Sequence, residues 1–250
     1  MIRKQGAIRR ATAAFVLSAV ALGMIGCKAD EAKNAGFVDK SQMIKDPSLP
    51  FNRSWIKPGF DKSKYTKLYV APVNTQYMLE MTEWQKSVRK EDFEKDVEKL
   101  ATFTQETLKK AFREDPKHRM RVLDAPTADP DTLVLEVAII EVVPSKVALN
   151  ALGYAPFGIG LTISAVRAIA KDTSTCAFES RVSVASSHEI VATFADREQQ
   201  QLAIVSTRGL TWYSNAETII TQWSEQLVAV ANRKPGETVK DVDGFTLKPW

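Results

Sequence analysis

The chain is poor in the side chains that most enzymes and metal proteins depend on. It has two cysteines and two histidines in 250 residues. His118 and His188 stand far apart, and neither has a Cys or His neighbour at ligand spacing, so no zinc-type site forms from the sequence. A Gly-x-Ser-x-Gly elbow, a P-loop and a dinucleotide fingerprint are all missing, and the glycines of 153–160 do not match a phosphate cradle. These absences leave no cofactor, no metal and no catalytic residue to assign, and the expectation is a non-enzymatic protein. The excess of positive charge is also local. Residues 1–26 hold four cations and no acid, and without them the formal charge falls from +4 to about 0. No basic patch interleaves with aromatics, so nucleic acid is not an expected partner.

What the chain does have begins at its N-terminus. Arg3, Lys4, Arg9 and Arg10 precede an uncharged run from Ala11 to Ile25, which suits a secretory signal and is short for a spanning helix. Leu22-Gly-Met-Ile-Gly-Cys27 resembles a bacterial lipobox, with Met24 and Gly26 at the apolar and small positions. The expectation is cleavage between Gly26 and Cys27, with diacylglyceryl and acyl groups on Cys27. Each buried CH2 contributes roughly 0.8 kcal/mol, so two or three chains anchor firmly where one does not. Lys28 stands where an Asp favours inner-membrane retention in enterobacteria, which points to the outer membrane, facing the periplasm. Lipidation of Cys27 leaves Cys176 without an intramolecular partner, and a small buried thiol is its plainest reading.

Residues 27–64 are rich in Lys, Asp, Pro, Ser and Asn and read as the lipidated Cys and a flexible tether, broken by the apolar Gly36-Phe-Val and Trp55-Ile56, which offer parts of it for packing on the domain. Residues 65–233 read as one α+β domain. Lys67–Val73 is a first strand. Glu91–Arg113 is an amphipathic helix with Phe93, Val97, Leu100, Thr104, Leu108 and Phe112 on one face. Strands follow at Arg119–Leu123 and at Thr132–Val143, the latter apolar on both faces and therefore central. Phe178–Ala185 and Glu189–Ala195 form a hairpin, with a further strand at 202–205. Ser214-Asn-Ala-Glu217 has the pattern of a capping box opening a helix to about Asn232. The expected architecture is a mixed or antiparallel sheet with two long helices packed on one face. Residues 234–250 are a C-terminal tail that adds an edge strand or trails freely.

Val147–Val166 carries no charge, and Pro156 with three glycines breaks it as a continuous helix. A loop followed by a short helix is expected within an insert at 147–170. The plain reading is packing on the domain's own sheet. The functional reading is a membrane or partner contact through Leu152, Tyr154, Phe157, Ile159, Leu161 and Ile163.

Gly36-Phe-Val, Tyr65–Val73, Val143-Pro-Ser-Lys-Val-Ala-Leu-Asn150, the apolar insert, Phe194-Ala-Asp-Arg197 and the Ala216–Trp223 helix together resemble a family of bacterial envelope lipoproteins, domain of unknown function 3313. The resemblance covers about residues 36–232 and implies no activity and no site residues. The element order is also similar to small α+β domains of other envelope lipoproteins, an analogy of fold alone. Two classes of function compete. One is a lipid-anchored envelope lipoprotein presenting its domain to a periplasmic or outer-membrane partner. The other is a hydrolase using Asp196 and Glu198, which share a strand face, although such a cluster is usually a solvated strand end. Carriage of a lipid or small ligand is a third reading.

Overall fold

The sheet is assembled around its most apolar strand. In the computed structural model, which describes residues 29–78, 90–144, 173–201, 211 and 213–241, six strands form one sheet. They are β1 (Arg53–Ile56), β2 (Lys67–Val70), β3 (Arg121–Leu123), β4 (Thr132–Val143), β5 (Thr173–Val184) and β6 (Ile190–Gln201), in the order β1-β6-β5-β4-β2-β3. β2 lies parallel to β3 and β4, and all other pairs are antiparallel, so the sheet is mixed. β4 is central and covered on both faces, as its sequence predicts. Leu133, Leu135, Val137 and Ile139 enter the larger core, whereas Ala138 and Ile140 enter a smaller core on the opposite face. A bulge between Ile139 and Glu141 resets the alternation, placing Glu141 opposite Ala177.

Two helices cover the larger core. α1 (Lys90–Arg113) buries Leu100, Thr104, Leu108 and Phe112, four of the six expected positions, with Phe93 and Val97 packed at the margin. α2 (Ser214–Asn232) buries Ile219, Ile220, Trp223, Leu227 and Val230. The expected α+β sheet with two helices on one face is therefore present. α1 ends where Asp115 accepts from the Lys117 amide at 3.0 Å and His118 turns back at φ 44°.

Three expectations are corrected. The segment before residue 65 is not a free tether. Ala29, Phe37, Val38 and Met43 are buried, and Arg53–Ile56 is an edge strand on β6. This segment covers the second face of the sheet, which would otherwise expose Ala138, Ile140, Ala177 and Ala195 to water. The hairpin strands are also longer than expected, because β5 and β6 pair from Thr173 and Gln201 down to the turn. The capping box is not formed: the N-cap is Tyr213, whose side chain does not cap the helix, and the Ser214 hydroxyl donates to the Thr211 carbonyl at 3.1 Å. The tail turns back along α2, where the Val239 amide donates to the Ser48 carbonyl and Gln226 donates to Asp241. The strand expected at 202–205 lies outside the described residues.

Candidate functional site

The two ends of the sheet differ in chemistry, and each gathers residues that sequence spacing alone does not join. At one end β4 finishes at Val143, β5 begins at Thr173 and β6 finishes at Gln201. The segment beginning at Ala29 is fastened near this end. Arg197 on β6 donates to the Asp30 carbonyl at 3.2 Å and pairs with Glu141 at 2.7 Å. Glu31 pairs with Arg53 at 2.8 Å. Further along, the fully buried Glu179 accepts from the amides of Ala35, Phe37 and Val38 at 3.3, 3.1 and 3.1 Å, and it pairs with Lys40 at 2.8 Å. Gly36 at φ 85° makes the turn that aims these amides at one carboxylate. Arg181 is held by Glu136 through two bonds of 2.8 and 2.9 Å and stacks over the Phe37 ring at 4.8 Å. The N-terminal approach to the domain is therefore a built part of it. β4 and β5 lead into and out of residues 145–172 at the same end.

At the opposite end an apolar cavity of about 460 Å³ lies between the sheet and the end of α2. Leu133 and Leu135 of β4, Ala192 and Phe194 of β6, and Leu227 and Val230 of α2 form much of its wall. Its lining also includes Lys62, Arg119, Arg233 and Lys234, against a single carboxylate, Asp61. Three of these cations, Lys62, Arg119 and Arg233, are fixed by the fold. Lys62 closes the C-terminus of α2, donating to the Ala231 carbonyl at 2.7 Å and to the carbonyls of Val230 and Arg233, where the helix dipole is negative. Arg119 donates to the Lys62 carbonyl, and its Nε is buried without an acceptor. Arg233 donates to Ser48 Oγ at 2.9 Å. Burial first, then repulsion by Arg119, Arg233 and Lys117, lowers the Lys62 ammonium to a pKa of about 8.

Of the residues singled out from the sequence, Gly26, Cys27, Leu152, Tyr154, Phe157, Ile159, Leu161 and Ile163 lie outside the described residues. Asp196 and Glu198 lie on β6, facing Phe178 and Cys176 of β5. Asp196 is 2 % exposed and accepts from the Asn52 amide at 2.8 Å and from the Trp223 indole at 2.9 Å. It is a structural acceptor joining the lead-in to β1, the sheet and α2. Cys176 is fully buried, which pushes its thiol pKa far up and leaves it protonated. His118 and His188 are turn residues with positive φ. Among the described residues no group of His, Cys, Asp and Glu is arranged to hold a metal, and no helix is long and apolar enough to cross a membrane. Sequence reasoning missed Glu179 and the cavity. Glu179 had one available signal: it is the lone acid in the sequence Thr173–Val184.

Mixed sheet and paired helices define an α+β protein. The chain belongs to the family of proteins of unknown function DUF3313, whose family model matches residues 33–227. No curated protein matches it. Among solved structures it is similar to the PelC dodecamer from Paraburkholderia phytofirmans, at 12 % identity and a TM-score of 0.36, over 70 % of this chain and 94 % of that one. It is also similar to the hypothetical protein CT253 from Chlamydia trachomatis, at 10 % identity and a TM-score of 0.34, over 66 % and 94 %. A third similar structure is protein XCC0632 from Xanthomonas campestris, at 11 % identity and a TM-score of 0.34, over 69 % and 86 %. Likeness at this level carries no argument about function.

Proposed function

We propose that this protein is a lipid-anchored, non-enzymatic lipoprotein of the bacterial envelope whose α+β domain is held close against a membrane and serves an envelope partner there. One observation carries the reading: the chain is already packed on the domain at Ala29, two residues after Cys27, and is fastened through Asp30 near the sheet end from which residues 145–172 depart. An anchor at Cys27 then belongs to the sheet end at which β4 finishes and β5 begins, the end from which the uncharged stretch 147–166 is reached along the chain. Leu152, Tyr154, Phe157, Ile159, Leu161 and Ile163 come within reach of lipid or of an integral partner without spanning the bilayer. Lys28 favours the outer membrane, with the domain in the periplasm.

The anchor is tested by growing cells on an alkyne-bearing palmitate. The wild-type chain takes up the label and sediments with membranes, whereas Cys27→Ser loses both properties; a labelled Cys27→Ser chain overturns the assignment. Photocrosslinkers placed at 152–163 in intact cells yield discrete lipid or protein adducts. A negative at every position removes the contact surface from the proposal.

A further inference from the structure

The cavity at the far end of the sheet has walls and rim of opposite character. Its walls are leucine, phenylalanine, valine and alanine side chains from β4, β6 and α2. Its rim gathers Lys62, Arg119, Arg233 and Lys234 around one acid, Asp61. A volume of about 460 Å³ falls within the range of small-molecule sites, roughly 300–1,000 Å³. A protein that needed only a filled core would close this space, because voids in a packed interior forfeit dispersion contacts and cost stability. Nor is crowding cations beside low-dielectric walls favourable in itself: like charges repel more strongly there than in water. That repulsion is visible in Lys62, whose ammonium is weakened by burial and by Arg119, Arg233 and Lys117. Glu237 acts in the opposite sense but is solvated, and outside the lining Asp115 acts on Arg119 and Asp46 on Arg233, so the cations outnumber the acids without being unopposed. Arg119 adds a buried Nε–H with no acceptor.

We propose that this cavity binds a single-chain anionic amphiphile, with its hydrocarbon chain between sheet and α2 and its carboxylate or phosphate head at the Lys62, Arg119, Arg233 and Lys234 rim. Apolar walls accept the chain without a polar partner, and an anionic head meets the guanidinium groups of Arg119 and Arg233 and the Lys234 ammonium, while Lys62, whose three N–H groups are spent on the carbonyls of Val230, Ala231 and Arg233, contributes its charge. An ammonium head would add a further like charge to the rim. The C-terminal tail does not occupy the site over its described length, because after Pro235 it leaves the cavity toward Ser48 and Gln226. The inference stands on the cavity alone. Its failure would leave the membrane anchor untouched, and loss of the anchor would not affect binding in solution.

The test is calorimetric titration of the chain from residue 27 onward with Cys27→Ser, which keeps every described residue. Laurate and dodecyl phosphate saturate one site, and dodecylammonium binds about tenfold more weakly or not at all. Arg119→Gln with Lys234→Gln levels laurate with dodecanol while the fold, followed by circular dichroism, is kept. Ala192→Trp fills the wall and abolishes binding of every chain. If Ala192→Trp fails to fold, the rim variant decides the matter alone through the ratio of anion to ammonium. Equal affinity for laurate and dodecylammonium, absence of saturable binding, or inorganic phosphate binding as tightly as dodecyl phosphate overturns the proposal. Markedly tighter laurate binding after removal of residues 242–250 also overturns it, by identifying the tail as the natural occupant. Preference between laurate and dodecyl phosphate tells a fatty acid from a phosphorylated lipid.

Discussion

Glu179 has no surface exposed to water, so its charge is met entirely by protein: three amides and Lys40. Removing one partner of a buried charged set is far costlier than never building it. Glu179→Ala is expected to destabilise the domain by about 3–5 kcal/mol, measured by urea unfolding, and to make the bonds around residues 35–43 the first cut in limited proteolysis. Lys62 supplies a second test at this scale. Its folded pKa, about 8, lies below the ordinary lysine value, so between these two values the unfolded chain binds more protons. Stability therefore rises with pH across that window. The wild-type chain should gain melting temperature relative to Lys62→Met between pH 8 and about 10.5, with no relative change from pH 6 to 7. A gain confined to below pH 8 would contradict the burial of Lys62.

At the scale of elements, the segment Ala29–Ile56 behaves as part of the sheet. A chain starting at Tyr65 lacks β1, the cover over Ala138, Ile140, Ala177 and Ala195, and all four named partners of the Glu179 carboxylate. It is expected to be recovered aggregated, because β6 becomes an exposed edge beside an uncovered apolar face. A chain starting at Ala29 should be monomeric on gel filtration. Recovery of a stable monomer from the Tyr65 start would show that the cover is dispensable. The contrast marks what was legible beforehand. α1, β4 and α2 declare themselves by periodicity, because each buries residues at the spacing of its own geometry. The cover does not, because Phe37 and Val38 are held on the sheet by Glu179, more than 130 positions away. Composition rich in Lys, Asp and Pro then reads as a linker. The capping box failed for a similar reason, since Ser214 is turned to the Thr211 carbonyl by the chain entering the helix. The cavity had no linear signal at all: its lining comes from both ends of the chain, Ile56 through Pro235.

On the scale of the whole molecule, the proposed anchor at Cys27 lies no more than about 7 Å along the chain from Ala29. A flexible insertion of about 20 residues after Lys28 would lengthen the root-mean-square reach to roughly 25 Å. If the domain works close against the membrane, that insertion should reduce lipid crosslinking from 152–163 several-fold while lipidation and folding are unchanged. Undiminished crosslinking would mean that residues 147–166 find the membrane independently of the docked N-terminus.

The two ends of the sheet are also electrically separate. From Glu141, beside the docked N-terminus, to Leu133, at the cavity, β4 runs eight residues, or roughly 27 Å of strand. The Debye length at physiological ionic strength is about 8 Å. With the N-terminal end at a bilayer, the field of anionic lipid is screened out well before it reaches Lys62 and Arg119. The rim cations are then neither drained of charge by the surface that holds the protein nor pulled down onto it. Their encounter with an anion is governed by what diffuses through the aqueous space, and its rate should depend on ionic strength but not on the headgroup composition of the host membrane.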